Sequence, residues 1–283
     1  MKRHQPGPAT SAGPTPPKPR PGFPARLVSS PATLAAKVPR TVATSPAASA
    51  RSAASSRSPG PSPQAPSGTG MDSQAVRWAM VRKLEAQGVS HPAVLAAMRT
   101  VERHRFVDSA LANQAYEDTS LPIGLGQTIS KPNVVARMSE LLCQGRSEKL
   151  GRVLEIGTGC GYQAAVLSHL AREVYSIERL RGLHDKAREN LRGMRLSNLH
   201  LLFGDGMLGY AKGAPYAAII AAAGGNDLPD AWIDQLAVGG RLVAPAVTGS
   251  GRQNLVVVDK TATGVVRTVL EAVLFVPLKS GVA

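Results

Sequence analysis

One run of residues, Val153-Leu-Glu-Ile-Gly157-Thr-Gly159-Cys-Gly161-Tyr162, constrains the fold of this chain more than any other segment. Its apolar start predicts a buried strand, its glycines predict a tight turn, and the residues through Leu170 predict a helix. Such a turn lets the backbone approach a ligand closely, although an ordinary β-to-α turn has the same pattern. A dinucleotide fingerprint would place glycine at position 162, so the GxGxG spacing favours S-adenosylmethionine instead. The candidate cofactor residues of this segment are Glu155, Gly157, Gly159 and Gly161.

Two carboxylates follow the next two predicted strands. Glu178 stands 21 positions after Gly157, at a strand end where a carboxylate can accept both hydroxyls of a ribose. Asp205 lies between Gly204 and Gly206 at the end of the third strand, where sheets of this class collect ligand-binding loops. Taken alone, Glu178 is more typical of a solvated residue at a helix start, and Asp205 is as typical of a simple turn as of a ligand site. Beside the glycine turn, the ribose interpretation is favoured for Glu178, whereas both interpretations stay open for Asp205.

Short apolar runs alternate with helical stretches after Gly151. They predict strands at residues 152–156, 173–177, 199–203, 216–221 and 241–247. This βαβ alternation indicates an α/β, Rossmann-like fold with a mostly parallel sheet and helices on both faces. Residues 255–258 and 265–277 leave no room for crossover helices, so they predict antiparallel strands at the C-terminal end.

Residues 1–70 differ in composition from the rest of the chain. They contain nine of the 33 Lys and Arg residues, no Asp or Glu, and 15 of the 22 prolines. Such a segment buries too little apolar surface to offset its ordering entropy, so we predict that it is disordered. Its Arg- and Ser-rich character is also typical of an organellar transit peptide or of a basic arm that contacts anionic partners. The remaining 24 basic and 19 acidic residues are ordinary for a cytosolic enzyme.

The catalytic unit is predicted to begin at Met71. Apolar residues at helical spacing from Val76 to Leu84 predict a first helix, and a second is predicted over residues 92–101 with Ser90 as its N-cap. A glycine-containing loop at 121–130 precedes a third helix that runs to about Leu142. We therefore divide residues 71–283 into a helical preface with a substrate loop, 71–150, and a Rossmann-like core, 151–283.

Several segments carry a family resemblance. They are LPIGLGQTIS at 121–130, VLEIGTGCGYQ at 153–163, YSIERLRGL at 175–183, GDG at 204–206 and FVPL at 275–278. Together they resemble the protein-L-isoaspartate O-methyltransferase family over residues 72–280. The glycine motif is shared by many methyltransferases, whereas the GQTIS loop is specific to this family.

The resemblance implies a class I methyltransferase fold with S-adenosylmethionine as co-substrate and no metal. It implies methyl transfer to the free carboxylate of L-isoaspartyl residues in damaged proteins, which starts their repair through a succinimide. Ser130 is the residue to which it assigns catalysis. It also implies cofactor contacts from Thr128, Ile129, Ser130, Glu178, Asp205 and Gly206, and a substrate loop containing Gly124, Gly126 and Gln127.

Two departures from the family pattern lie near the predicted site. Cys160 stands where serine is frequent, which is harmless because the backbone makes that turn. Ala223-Gly-Gly-Asn226 replaces an Ala-Pro pair after the fourth strand. The second departure lies on the substrate side, where it bears on peptide recognition.

Ser130 admits two interpretations. A serine before Lys131-Pro132 and a helical pattern is typical of a helix N-cap. An isoaspartyl carboxylate, whose reference pKa is about 3.5, is ionised at neutral pH and needs no general base, so a hydroxyl donor would orient it and not act as a nucleophile. The two roles are compatible because a helix N-terminus favours an anionic substrate.

Composition and motifs exclude several other classes. Cys143 and Cys160 form no CxxC pair, and no histidine stands at metal-ligand spacing, so neither a disulfide framework nor a metal site is predicted. No apolar run reaches the length of a membrane span. We expect a cytoplasmic monomer that acts on isoaspartyl proteins and has neither a membrane nor a nucleic acid as partner.

Two alternatives remain open from the sequence. The basic chain and shared fold are compatible with a methyltransferase for another acceptor such as RNA. However, the segment after the fourth strand lacks the Asp/Asn-Pro-Pro-aromatic loop or nucleophilic cysteine that base methylation uses. A non-catalytic methyltransferase-like scaffold is the second alternative, and the glycine turn, Glu178 and Ser130 argue against it.

Overall fold

The computed structural model describes residues 74–249 and 251–283, which all belong to one unit of the chain. The predicted disorder of residues 1–70 and the start of the catalytic unit at Met71 lie outside the described residues. The helices are α1 Gln74–Ala86, α2 Pro92–Thr100, α3 Pro132–Cys143, α4 Tyr162–Leu170, α5 Arg181–Arg192 and α6 Asp230–Gln235. The strands are β1 Leu121–Gly124, β2 Gln127–Ile129, β3 Leu150–Ile156, β4 Ala171–Glu178, β5 Leu199–Phe203, β6 Tyr216–Ala221, β7 Leu236–Val247, β8 Gln253–Thr261 and β9 Gly264–Ala272.

Seven of these strands form one mixed sheet in the order β5-β4-β3-β6-β7-β8-β9. Strands β3 to β7 pair in parallel, whereas β8 and β9 add to the edge in antiparallel orientation. The chain reverses the direction in which it adds strands between β5 and β6, on either side of central strand β3. Ligands bind at such a switch point, beyond the carboxyl ends of the strands. The Rossmann-like fold predicted from the alternation is confirmed.

The two faces of the sheet contribute to two separate hydrophobic cores. Successive residues of a strand point to opposite faces, so Val153 joins the core that contains side chains of α1 to α5, and Leu154 joins the core that contains α6. The fully buried Trp232 anchors α6 in the second core. Burial on both faces explains why these strands are nearly continuous apolar runs.

The helical preface is tied to the core by a buried cation. Arg103 has no exposed surface, donates hydrogen bonds to the carbonyl oxygens of Ala115 (2.8 Å) and Thr119 (3.3 Å), and lies 4.8 Å from the ring centroid of Tyr162 in α4. The segment that leads into β1 is therefore fixed to the helix that follows the glycine turn.

Some local predictions were wrong. Ser90 is not the N-cap of α2: His91 occupies that position, and Ser90 donates hydrogen bonds from its backbone and hydroxyl to Glu140 of α3. Strand β7 begins five residues before the predicted strand at 241, and α6 was not predicted. Strand β9 ends at Ala272, because residues 273–277 leave the sheet and cross to the site.

In the part of the chain that the structure describes, none of the helices has both the length and the apolar character required to cross a bilayer. Cys143 and Cys160 are both free and buried. Burial raises the pKa of each thiol to about 11, so neither is a thiolate at neutral pH.

Candidate active site

A cavity of about 250 Å³ opens beyond the carboxyl ends of β3, β4 and β6. Segments that are distant in sequence line it: the β1–β2 ribbon with Ser130 and Val135 of α3, the glycine turn with the start of α4, the end of β4 with the start of α5, Gly206 after β5, the residues after β6, and residues 276–279. Of the predicted site residues it brings together Gln127, Thr128, Ile129, Ser130, Gly157, Gly159, Glu178 and Gly206. The cavity thus forms where the topology predicts a ligand site.

The glycine turn meets two separate demands. Gly157, Gly159 and Gly161 have φ values of 89°, 56° and 92°, a region that side-chain-bearing residues rarely adopt. Gly161 does not line the cavity. A Cβ atom there would lie 2.7 Å from Leu191 Cδ1, so this glycine allows α4 to pack closely against α5. Gly157 and Gly159 form the wall itself.

Glu178 is held rigidly at the end of β4. Its side chain is only 5% exposed, and its two carboxylate oxygens accept hydrogen bonds from the backbone N–H groups of Gly159 and Leu180, each at 2.9 Å. Each oxygen keeps a free lone pair that can face the cavity. The carboxylate is therefore positioned to accept from a ligand's hydroxyl groups.

Glu155 lies behind the cavity wall. Its side chain has no exposed surface, and its Oε2 lies 2.5 Å from the Ser176 hydroxyl, which is itself 2.6 Å from Thr158 Oγ1. Burial raises the pKa of Glu155 to about 8. The sequence predicted that Glu155 contacts the cofactor, but this side chain does not line the cavity. It instead holds Thr158 of the cavity wall in place through the Ser176 hydroxyl.

Asp205 serves two neighbouring segments. Its Oδ1 accepts from the backbone N–H of Met207 at 2.8 Å and caps a short 3₁₀ turn, and its Oδ2 accepts from Gly281 N–H at 2.6 Å. Gly206 lines the cavity, and a Cβ atom there would lie 2.6 Å from Ile156 Cγ2. Residues 204–206 therefore form a turn and also contribute to the site. Gly206 is part of the cavity wall, and Asp205 supports that wall from outside the cavity.

The predicted substrate loop is a two-stranded antiparallel ribbon, β1–β2, in which Leu121 pairs with Ile129. At its tip, Gly124, Leu125 and Gly126 all have positive φ, which is costly for Leu125 at 50°. Lys186 of α5 donates to the Ile123 carbonyl oxygen at 2.8 Å and holds the ribbon against the core. Leu125 and Gln127 line the cavity, whereas Gly124 and Gly126 only shape the tip.

A second cleft of about 300 Å³ adjoins the cavity. Thr128, Ser130 and Ala222 line both spaces, so these residues stand at the junction between them. The Ser130 hydroxyl makes no hydrogen bond to any described residue. The N-cap of α3 is Lys131, which has no side-chain cap. The N-cap interpretation of Ser130 is therefore wrong, and its hydroxyl is available to a ligand.

Residues after β9 complete both spaces, and sequence reasoning gave them no role. Gly224 donates to the carbonyl oxygen of Val276 and accepts from the N–H of Leu278, both at 2.9 Å. The pair fastens the C-terminal segment over the carboxyl end of the sheet, where Val276 to Lys279 line the cavity. The FVPL match at 275–278 was the only sequence signal for this wall.

The site contains groups that fit a nucleoside with a polar tail. They are a carboxylate fixed at the end of β4, glycine backbone at the end of β3, and a deeply buried amide, that of Gln163, which lacks a hydrogen-bond partner among the described residues. Within those residues no cluster of three or more His, Cys, Asp or Glu could hold a metal ion. This fold with this site defines a class I S-adenosylmethionine-dependent methyltransferase.

Comparison with known proteins identifies the particular family. The chain belongs to the protein-L-isoaspartate(D-aspartate) O-methyltransferase family, whose model matches residues 75–283. It is 64% identical over 219 residues to the protein-L-isoaspartate O-methyltransferase of Methylibium petroleiphilum, covering 76% of this chain and 81% of that protein. It is 61% identical over 217 residues to the enzyme of the same name from Leptothrix cholodnii, covering 76% and 77% of the two chains.

Solved structures agree with this assignment. A protein-L-isoaspartate O-methyltransferase superposes with a TM-score of 0.66 at 28% identity over 72% of this chain and 66% of the other. A Plasmodium falciparum protein described by the same activity, in complex with S-adenosyl-L-homocysteine, gives a TM-score of 0.61 at 23% identity, over 71% and 97% of the two chains. The latter supports the fold alone. The chain is thus an S-adenosylmethionine-dependent protein carboxyl methyltransferase.

Proposed function

We propose that this enzyme transfers a methyl group from S-adenosylmethionine to the α-carboxylate of L-isoaspartyl residues, with Ser130 orienting the acceptor. The observation that carries the proposal is the junction between cavity and cleft, where Ser130, whose hydroxyl makes no hydrogen bond to a described residue, lines both spaces. A cofactor in one space and an acceptor in the other would meet at this residue.

In this proposal the cavity holds the cofactor and the adjoining cleft holds the acceptor. Glu178 accepts the ribose hydroxyls, and Gly157 and Gly159 bring the backbone close to the ligand. Bound S-adenosylmethionine supplies an electrophilic methyl group. The roles of Thr128, Ile129 and Gly206 are to shape the wall, while Asp205, Gly161 and Glu155 support it from behind.

The adjoining cleft suits an anionic acceptor. Lys131 is the only ionisable side chain among the described residues that line it. The N-terminus of α3 begins at the same place and favours negative charge. An isoaspartyl carboxylate, ionised above a pKa of about 3.5, would be attracted there without any need for a general base.

Catalysis then rests on positioning. The Ser130 hydroxyl would donate a hydrogen bond to one carboxylate oxygen and leave the other free to attack. Holding the reacting atoms in line can lower the barrier by about 7 kcal/mol or more. This assigns Ser130 an orienting role, since an ionised carboxylate needs no base and the Ser130 hydroxyl makes no hydrogen bond to a described residue.

The methyl ester needs no further enzymatic step. The backbone nitrogen that follows the residue attacks the ester carbonyl, methanol leaves, and a succinimide closes. Water opens this ring in either direction and so returns part of the material to normal aspartate. The ring closes because methoxide is a far better leaving group than the oxide ion that an unmethylated carboxylate would have to lose. Methylation therefore starts the repair.

The proposal also covers the compartment, the oligomeric state and the partners of the enzyme. We expect a cytoplasmic enzyme that acts as a monomer on isoaspartyl proteins and does not act on nucleic acid. Residues 221–225, at the end of β6 and after it, are Ala-Ala-Ala-Gly-Gly and offer no loop for base methylation, and the raised pKa values of Cys143 and Cys160 oppose a cysteine mechanism.

Two matched peptides test the proposal. They differ only in one L-isoaspartyl or L-aspartyl residue, and base-labile methyl ester is measured after incubation with labelled S-adenosylmethionine. We expect ester on the isoaspartyl peptide alone. Cofactor binding without transfer to either peptide would refute this acceptor and direct the search to others, RNA first. An enzyme that binds no cofactor would instead support the scaffold alternative.

A further inference from the structure

Gln163 is an unusual residue of the cofactor cavity. It stands in the first turn of α4, lines the cavity and is only 6% exposed. Neither its Nε2 nor its Oε1 has a hydrogen-bond partner among the described residues. A buried amide without partners destabilises the folded state, because it has lost its hydrogen bonds to water without replacement. The buried Gln163 amide therefore destabilises the free enzyme unless another group forms hydrogen bonds with it.

The other deeply buried polar side chains of the same wall are already satisfied. Thr158 bonds to Ser176, and both carboxylate oxygens of Glu178 accept backbone hydrogen bonds. Glu155 lies close behind: its Oε1 also lacks a hydrogen-bond partner within strict distance limits, and hydrogen bonding from the Gln163 side chain opposes the larger effect of burial, which raises the pKa of the Glu155 carboxyl. That hydrogen bond occupies one N–H of Nε2 and leaves Oε1 and the second N–H of the amide available to a ligand in the cavity that Gln163 lines.

The position of Gln163 selects one part of the cofactor. In the proposed cofactor placement Glu178 contacts the ribose and Ser130 lies near the methyl group, while Gln163 lines the same cavity two residues after Gly161 of the glycine turn. The remaining polar part of S-adenosylmethionine is its amino-acid end, which carries an ammonium donor and a carboxylate acceptor. A glutamine amide has an acceptor and a donor that complement both groups.

We propose that the Gln163 side-chain amide binds the amino-acid end of S-adenosylmethionine. This inference rests on the cofactor placement of the proposed function. It makes Gln163 a determinant of affinity for the amino-acid part of the cofactor, separate from the ribose contact of Glu178.

The test replaces Gln163 by a side chain of similar shape without an amide, Gln163→Met, with Gln163→Leu as a second variant. Two ligands are titrated by calorimetry: S-adenosylhomocysteine, and 5′-methylthioadenosine, which lacks the amino-acid end. We expect affinity for S-adenosylhomocysteine to fall about 10-fold, the effect of one lost buried hydrogen bond. Affinity for 5′-methylthioadenosine should stay within about 2-fold, since that ligand cannot use the amide.

Thermal melting without ligand provides an independent check. Because a buried amide with unsatisfied hydrogen-bonding groups destabilises the free enzyme, Gln163→Met should melt at the wild-type temperature or above it. Ser139→Ala is the matched control: Ser139 is also fully buried with an unpartnered hydroxyl, but lies in α3 away from both spaces. It should leave the affinities for both ligands unchanged.

The outcomes separate cleanly. Unchanged affinity for S-adenosylhomocysteine, or an equal loss for both ligands, would overturn the role of Gln163 at the amino-acid end. Failure of the wild-type enzyme to bind S-adenosylhomocysteine would instead defeat the proposed function itself. Selective loss in both variants with retained stability would establish the inference.

Discussion

At the junction of the two spaces, Ser130 is a single hydroxyl with no described partner, placed where acceptor and cofactor would meet. We expect Ser130→Ala to lower kcat for an isoaspartyl peptide about 100-fold, the order of magnitude seen when one oriented donor is lost. Affinity for S-adenosylhomocysteine should change little, because the cavity wall keeps its other contacts. Steady-state kinetics and calorimetry measure the two quantities.

Ser120→Ala is the matched control for this prediction. Ser120 also lines the cleft but does not reach the cavity. It should keep a kcat near wild type. Unchanged kcat in Ser130→Ala would remove Ser130 from the mechanism.

Glu155 gives a prediction about pH. Its pKa is raised to about 8 by burial, whereas a glutamate in the unfolded chain ionises near about 4.3. Between these values the folded state retains a proton that the unfolded state has lost, so the free energy of unfolding falls as pH rises and levels off above about 8. Glu155→Gln, which stays neutral, should therefore lose less thermal stability between about pH 6 and pH 9 than the wild type does.

Melting temperatures across that range measure the difference. Glu148→Gln is a suitable control because Glu148 is an exposed carboxylate in a surface ion pair with Arg172. It should follow the wild-type profile. A wild-type slope in Glu155→Gln would mean that the buried carboxyl does not govern the alkaline loss of stability.

Single residues also show what the sequence could and could not predict at the site. The glycine turn and Glu178 were predictable because a strand followed by a turn fixes where its last residues point. The position of Glu155 behind the wall follows from side-chain alternation, which places neighbouring Ile156 on the wall instead. Gln163 was missed because a polar residue in a helix pattern gives no indication that its amide is buried.

At the scale of elements, strand existence was predicted better than strand ends. Strands β5 and β6 match the predicted bounds, because apolar runs stop where burial stops. The start of β7 was missed because Val238, Gly239 and Gly240 interrupt the apolar pattern, and Val238 is exposed. The Ser90 cap was wrong because Glu140 of α3, distant in sequence, captures its hydroxyl and N–H.

The contact between Gly224 and the C-terminal segment leads to a prediction about that element. A Cβ atom at Gly224 would lie 2.7 Å from Gln253 Nε2, and Gln253 Oε1 accepts the backbone N–H of Phe275. Gly224→Ala should displace Gln253, lower the free energy of unfolding by about 1–2 kcal/mol and raise KM for the peptide, since Phe275 lines the cleft.

Chemical denaturation and kinetics measure these two effects. Gly249→Ala is the control, because a Cβ atom there would contact nothing within 4 Å. It should be neutral in both assays. If Gly224→Ala matched it, the glycine pair would have no part in holding the C-terminal segment.

At the scale of the whole molecule, the fold class was predictable but the closure of the cavity was not. Alternating apolar runs and helices determine the parallel sheet, because few other arrangements bury such strands on both faces. The wall formed by residues 276–279 depends on hydrogen bonds across about fifty residues of chain, from Gly224 to Val276 and Leu278. Local pattern contains no information about such pairing.

The boundary of the catalytic unit remains a prediction at this scale. We expect a truncated protein that begins at Met71 to fold and to methylate an isoaspartyl peptide with kcat within about 2-fold of the full chain, since no described residue that lines the cavity or the cleft precedes Ser120. Circular dichroism, thermal melting and the peptide assay test this. Loss of folding would place the boundary further upstream.

The β1–β2 ribbon has a consequence for protein engineering. Because Leu121 and Ile129 are ladder partners, the two ends of the ribbon stay one strand spacing apart whatever sequence joins them. Residues 124–127 can therefore be exchanged as a cassette, grafted from relatives or randomised in a library, while both anchoring ends keep their positions. Selection on such a library would alter the enzyme's choice of ligands through one wall of the site and leave the sheet beneath it intact.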